Sequence, residues 1–194
     1  MVGNAQFVSA GLAAQRRSLV LLQNEGKLLP LQPNGKKLYV RGLSAQVART
    51  YGFTVVDKPA GADVAILRVA APFEVQHPGY FFGSRQHEGT LAFVEANPDF
   101  QQIAAVSALV PTIVVVFLDR PAALANVRDK VKALVGDFGA SDAAVLDVLT
   151  GRVAPQGKLP IALPESMSQV ERHGLRTSAA ADRPLYPIGW GLSY

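Results

Sequence analysis

The sequence predicts an α/β fold: a three-layer α/β sandwich in which a mainly parallel, about six-stranded sheet is covered by helices on both faces. Two observations carry that expectation. Short apolar runs rich in β-branched residues alternate with segments of about ten residues at helical spacing, the pattern of strand–helix–strand units. The runs also lack a polar face. Ile113-Val-Val-Val-Phe117 is apolar throughout, as a strand must be when helices cover both of its sides.

In chain order, Asn4 suits an N-cap, and Phe7, Leu12, Leu19 and Leu22 recur at near-helical spacing, so a first helix is expected over residues 5–23, ended by Asn24-Glu25-Gly26. Residues 28–31 form an apolar extended piece, and Pro33-Asn34-Gly35 is a turn before a strand over residues 37–41. A short helix over residues 44–51 and a weaker strand over 53–56 precede the strand 63–69, which Pro72 stops. Asn97-Pro98 supplies a cap and a first-turn proline for a helix over residues 99–109, and Pro111 separates that helix from the strand 112–117. A helix through about residue 127, a strand over 131–135, a helix over 142–149 capped by Ser141 and closed by Gly151, and a last strand over 158–163 complete the series. Residues 165–183 are polar and weakly periodic and read as a surface excursion, whereas residues 184–194 are dense in aromatic and Gly residues and read as ordered.

Composition removes several function classes. The chain has no cysteine, which excludes disulfides and thiolate metal sites. The net charge of +4, from 19 basic and 15 acidic side chains, is scattered singly or in pairs such as Arg16-Arg17 and Lys36-Lys37. Nucleic-acid binders gather such charge on one face, so no nucleic-acid partner is expected. Apolar runs stay far below the roughly 18 residues that span a bilayer, so no membrane partner is expected either. Residues 1–7 lack the basic-then-apolar pattern of a signal peptide.

Chemically capable side chains concentrate in the loop that follows the strand 63–69. Residues 72–89 hold Glu74, His77, Tyr80, Arg85, His87 and Glu88, with two of the three histidines of the chain. In open α/β sheets, ligands bind at loops leaving the carboxyl ends of strands, so this loop is the expected site. A carboxyl group beside an apolar ring, as Glu74 is beside Phe73, suits a general acid. A metal site built from His77, His87 and Glu88 has neither thiolate nor helical histidine spacing behind it and is not expected. Arg68, at the end of the strand, is expected to pair with Asp63 or Asp119, and Asp119-Arg120-Pro121 reads equally as a helix cap or as the edge of the site. Gly136-Asp-Phe-Gly139 lacks the spacings of a phosphate loop and reads as a tight strand-to-helix connection.

Three segments carry a resemblance. Ser18-Leu-Val-Leu-Leu-Gln-Asn followed by Leu29-Pro-Leu31, the stretch from Gly136 through Gly157-Lys-Leu-Pro-Ile-Ala-Leu-Pro164, and Pro184-Leu-Tyr-Pro-Ile-Gly-Trp-Gly-Leu-Ser-Tyr194 occur in order and span nearly the whole chain. They resemble the C-terminal domain of family 3 glycoside hydrolases, the β-glucosidase and β-xylosidase type. The resemblance implies a six-stranded α/β sandwich, expected here over residues 31–194, preceded by a linker and leading helix over residues 1–30 from an N-terminal TIM-like barrel outside these 194 residues. It implies retaining hydrolysis of β-glucosides or related sugars, a carbohydrate substrate, no metal and no organic cofactor. A periplasmic or secreted parent enzyme is compatible with it.

In such enzymes the barrel supplies the nucleophilic carboxylate and this domain the acid/base carboxylate. By resemblance, Glu74 stands where many members place that glutamate, just past the strand. Glu88 is the alternative, in His87-Glu88-Gly89-Thr90-Leu91, which stands where the family has Asp-Arg-x-x-Leu. The Gly neighbours usual in the family are missing from Glu74. His77, Arg85 and His87 would then bind sugar hydroxyls or tune the acid, and Tyr80, Phe81 and Phe82 would stack on a sugar ring. The resemblance implies that this chain alone is inactive. A second reading, from a different class, is a non-catalytic flavodoxin-like ligand-binding or interaction domain.

Overall fold

A computed structural model describes residues 3–173 and 183–194. Six strands form one sheet: β1 (Val20–Asn24), β2 (Lys37–Arg41), β3 (Thr54–Val56), β4 (Val64–Ala70), β5 (Thr112–Phe117) and β6 (Ala133–Asp137). The order across the sheet is β1-β6-β5-β4-β2-β3, with β1 antiparallel to β6 and every other pair parallel. The helices are α1 (Ala5–Ser18), α2 (Ala45–Thr50), α3 (Pro98–Ser107), α4 (Ala125–Arg128), α5 (Asp142–Leu149) and α6 (Met167–His173).

Alternation along each strand sorts the core into two layers. Val114 and Val116 of β5 point into one layer with Ala65, Leu67 and Val69 of β4, where Phe100, Ile103 and Val106 of α3 and Val127 of α4 cover them. Ile113 and Val115 point into the other with Val64 and Ile66, covered by Ala48 of α2 and by Ala144, Val145 and Val148 of α5. A strand period of two places neighbouring residues on opposite faces, so an uninterrupted apolar run is what a doubly covered strand requires. The expected three-layer sandwich is therefore the observed one.

Cap chemistry holds at Asn4, Asn97 and Ser141, where the sequence placed it, and Ser44 caps α2 in the same way. Asn4, Ser44, Asn97 and Ser141 each accept a backbone N–H of the first helical turn, from Gln6, Val47, Phe100 and Ala144. Two element assignments change. The helix expected over residues 5–23 ends at Ser18, and residues 20–24 form the edge strand β1 instead. Leu19, Val20, Leu21 and Leu22 are all buried, alternately in the two layers. A surface helix buries one stripe, whereas a strand with both faces covered buries consecutive apolar side chains alternately to either side. The sandwich consequently begins before residue 31.

The strand expected over residues 158–163 does not join the sheet. Pro160 cannot donate to a ladder, and the segment fastens the tail. Leu159 N donates to Trp190 O at 2.8 Å, and Leu163 and Tyr186 exchange backbone hydrogen bonds at 2.9 and 3.2 Å. Leu192 N then donates to Leu21 O at 2.8 Å, so the tail lies against β1 and partly covers the sheet's edge. The excursion expected over residues 165–183 falls partly outside the described residues, and its described part includes α6.

Candidate functional site

The site lies at the carboxyl edge of the parallel strands. The topology reverses between β2 and β4: the chain runs outward from β2 to β3, then returns to place β4 on the other side of β2. Such a switch point opens a crevice where two loops diverge. Here a cleft of about 440 Å³ is lined by Gly42, Arg68, Asp99, Phe117 and Gly139. The expected pairing of Arg68 with Asp63 or Asp119 is not the one formed. The Arg68 guanidinium reaches across β5 to Asp137 at the end of β6, with Nη2 at 2.5 Å and Nε at 3.0 Å, and to Asp142 at 2.9 Å. Asp63 instead accepts Lys37 N at 2.8 Å. Parallel register decides this, because it sets Arg68 beside Val115, next to β6, while Asp63 sits at the opposite end of β4.

From the end of β4 the chain passes buried Ala71 and loops out until buried Leu91 and Phe93 bring it back. Between these anchors the two limbs of the loop meet in a short antiparallel bridge. Glu74 N donates to Glu88 O at 2.9 Å and Glu88 N to Glu74 O at 3.1 Å, so the two carboxylate candidates are direct cross-strand partners. Opposed residues of such a pair project to the same side of the ribbon.

Their carboxylates are held differently. Glu88 Oε2 lies 2.7 Å from Nδ1 of His77, whereas Glu74 Oε2 accepts Nε2 of Gln76 at 3.0 Å. Glu74 is exposed and Glu88 half-buried. Phe73, expected to shelter Glu74, stacks instead on His87, with ring centroids 3.8 Å apart. His87 Nδ1 hydrogen-bonds Asp119, just beyond β5, and the Arg120 guanidinium donates to Glu88 O and, at 3.0 Å, to Gly89 O.

The structure thus brings Glu74, Glu88, His77 and His87 together on one bridge. Tyr80 joins through an edge contact with His77, at 5.3 Å between centroids. Arg85 lies exposed in the 3-10 turn at the loop tip and joins none of these contacts. Tyr80, Phe81 and Phe82 are exposed, Phe81 at 92 %. The histidines serve different carboxylates, and among the described residues no three His, Asp or Glu side chains gather as a metal site. Sequence reasoning did not foresee the grip of Arg120 on the loop. The available signal was Asp119-Arg120 at the end of the purest strand, but which backbone it reaches depends on how the loop folds.

The fold and site define a class: an α/β sandwich whose long loop at the carboxyl edge of the sheet presents a supported pair of carboxylates. Residues 53–194 match the glycosyl hydrolase family 3 C-terminal domain. The whole chain is 45 % identical to 29 % of the periplasmic beta-glucosidase/beta-xylosidase of Dickeya chrysanthemi, and 38 % identical over its full length to 31 % of beta-glucosidase C of Emericella nidulans. The chain belongs to the glycosyl hydrolase family 3 C-terminal domain family. It spans about three-tenths of the length of these curated relatives. Among solved structures, the beta-glucosidase of Listeria innocua in complex with glucose superposes with a TM-score of 0.76 at 23 % identity, covering all of this chain and 34 % of that one, a likeness of fold.

Proposed function

We propose that this chain is the loop-bearing domain of a retaining β-glycosidase acting on β-glucosides or related β-linked sugars, with Glu74 as the acid/base. Family membership supports the chemistry, and one observation supports the choice of residue. His77 ties down the carboxylate of Glu88, while that of Glu74 is exposed beside it on the same bridge. Retaining hydrolysis places two carboxyl groups about 5–5.5 Å apart, flanking the scissile bond. Glu74 and Glu88 project from the same side of one ribbon. The resemblance to family 3 enzymes assigns the nucleophile to the part of the enzyme outside this chain, a TIM-like barrel.

Glu74 then protonates the leaving oxygen as the nucleophile attacks the anomeric carbon and the glycosidic bond breaks. In the second step its carboxylate takes a proton from the water that displaces the nucleophile. Tyr80, Phe81 and Phe82 offer aromatic faces at the loop tip to a sugar ring, and His87 and Arg85 offer hydrogen-bond donors.

The test uses the barrel-containing polypeptide. Glu74→Gln should slow a β-glucoside with a poor alkyl leaving group by roughly a hundred- to ten-thousand-fold, and the bond-breaking step on an activated aryl glucoside far less, because only the former needs protonation. The assignment moves to Glu88 if Glu88→Gln carries this signature and Glu74→Gln does not. The 194-residue chain alone should hydrolyse neither substrate.

A further inference from the structure

The acid/base loop projects between anchors at Ala71 and Leu91, and its two glutamates face each other across a bridge of only two backbone hydrogen bonds. A carboxylate that must meet a glycosidic oxygen to within a fraction of an ångström needs more support than that. Two consecutive residues at the end of β5 provide it. Arg120 spreads its guanidinium over the carbonyls of Glu88 and Gly89, and Asp119 holds the ring of His87. The limb 87–89 is thus tied to the sheet at three successive residues.

That limb is also the seat of Glu74. Gly89 has φ +69°, and a Cβ built on it would lie 2.8 Å from Cβ of Glu74 and closer still to its carboxyl group. The Glu74 side chain therefore rests on the backbone of the residue whose carbonyl Arg120 holds. Phe73, the residue before Glu74, stacks on the His87 ring that Asp119 holds. These two contacts of the Glu74 limb run through groups fixed by the Asp119-Arg120 pair.

Resting on the proposed role of Glu74, we infer that Arg120 is a positioning residue for the acid/base: it fixes the limb 87–89, and with it the Glu74 carboxyl, without touching substrate. Arg suits this task better than Lys, because its planar fork can serve two carbonyls at once while an ammonium is a single point of charge. Gly89 belongs to the same device, since any side chain there both strains the backbone and pushes the carboxyl off its seat.

The experiment compares Arg120→Met, Arg120→Lys and Gly89→Ala with Glu74→Gln in the barrel-containing enzyme, on an alkyl and an activated aryl β-glucoside. A misplacement of about 1 Å costs on the order of a hundredfold. Arg120→Met should therefore lower kcat on the alkyl glucoside by about ten- to a hundredfold with KM little changed. Its effect on the bond-breaking step of the aryl glucoside should be several-fold smaller, with Arg120→Lys recovering part of the loss and Gly89→Ala showing the same bias. Equal loss on both substrates, or a change in KM alone, by variants that keep the native urea midpoint would overturn the inference. Should Arg120→Met fail to fold, Arg120→Lys and Gly89→Ala carry the same decision. If Glu74→Gln has no leaving-group bias, the acid/base reading is what fails; if it has that bias and the Arg120 and Gly89 variants lack it, only the positioning role is lost.

Discussion

Replacing Asp137 by Asn perturbs the most heavily bonded carboxylate of the sheet. Its side chain is fully buried and accepts four hydrogen bonds: two from Arg68, at 2.5 and 3.0 Å, and one each from Gly139 N at 3.0 Å and Ala140 N at 2.7 Å. Asn in the same rotamer keeps Oδ1 for the two backbone N–H groups, because both bond that oxygen. It turns an amide N–H toward the guanidinium and loses both charge-assisted bonds, each worth about 1.5–3 kcal/mol. Arg68 is 18 % exposed and keeps Asp142 at 2.9 Å and Ala140 O at 2.5 Å, so part of that loss is recovered. The expected cost is about 2–4 kcal/mol, a large share of the 5–15 kcal/mol that holds a typical domain together. Urea unfolding followed by the fluorescence of Trp190, the single tryptophan, and in parallel by circular dichroism would measure it. Arg68→Met completes a double-mutant cycle, and the coupling between the two sites should exceed about 1 kcal/mol. A loss below about 0.5 kcal/mol for Asp137→Asn, with coincident transitions, would refute the idea that this pair ties β4 to β6.

Two further expectations concern tyrosines. Tyr186 is buried, and its hydroxyl has no hydrogen-bond partner among the described residues, so Tyr186→Phe should raise stability by about 1 kcal/mol, seen as a higher urea midpoint; a loss of that size would contradict it. Burial pushes Tyr51, Tyr186 and Tyr194 up to about 12 from 10.0, with the bond to Asp147 and its charge adding to the rise at Tyr51. The folded state holds these protons more tightly than the unfolded chain, so their contribution to stability is complete below pH 10 and declines as pH rises toward 12. Phenolate absorbance should show these three tyrosines still protonated above pH 10 in a folded sample, and their titration near pH 10 without unfolding would count against it.

The fold class was legible in the amino-acid order alone, and so was the loop that gathers the candidate carboxylates and histidines. Local chemistry was enough for this: side-chain caps act on N–H groups within the first turn, and a short, β-branched apolar run such as residues 113–117 suits a strand covered on both sides. It also located the loop, because Glu74, His77, His87 and Glu88 are close along the chain. Tertiary structure decided the rest, wherever one segment offers groups that only a distant segment can use. Residues 20–24 follow a helical spacing in isolation and become a strand because β6 pairs with them and both core layers take their apolar side chains. Residues 158–163 have strand composition, yet the tail offers the backbone partners and the sheet does not. Arg68 faced several aspartates, and parallel register selected Asp137 and Asp142 by distance. Glu74 and Glu88, fourteen residues apart, were rivals in sequence. Folding of the loop made them cross-strand partners, gave Glu88 to His77, and brought Arg120 to the carbonyls of Glu88 and Gly89, because backbone hydrogen bonds across a bridge depend on register and not on residue type.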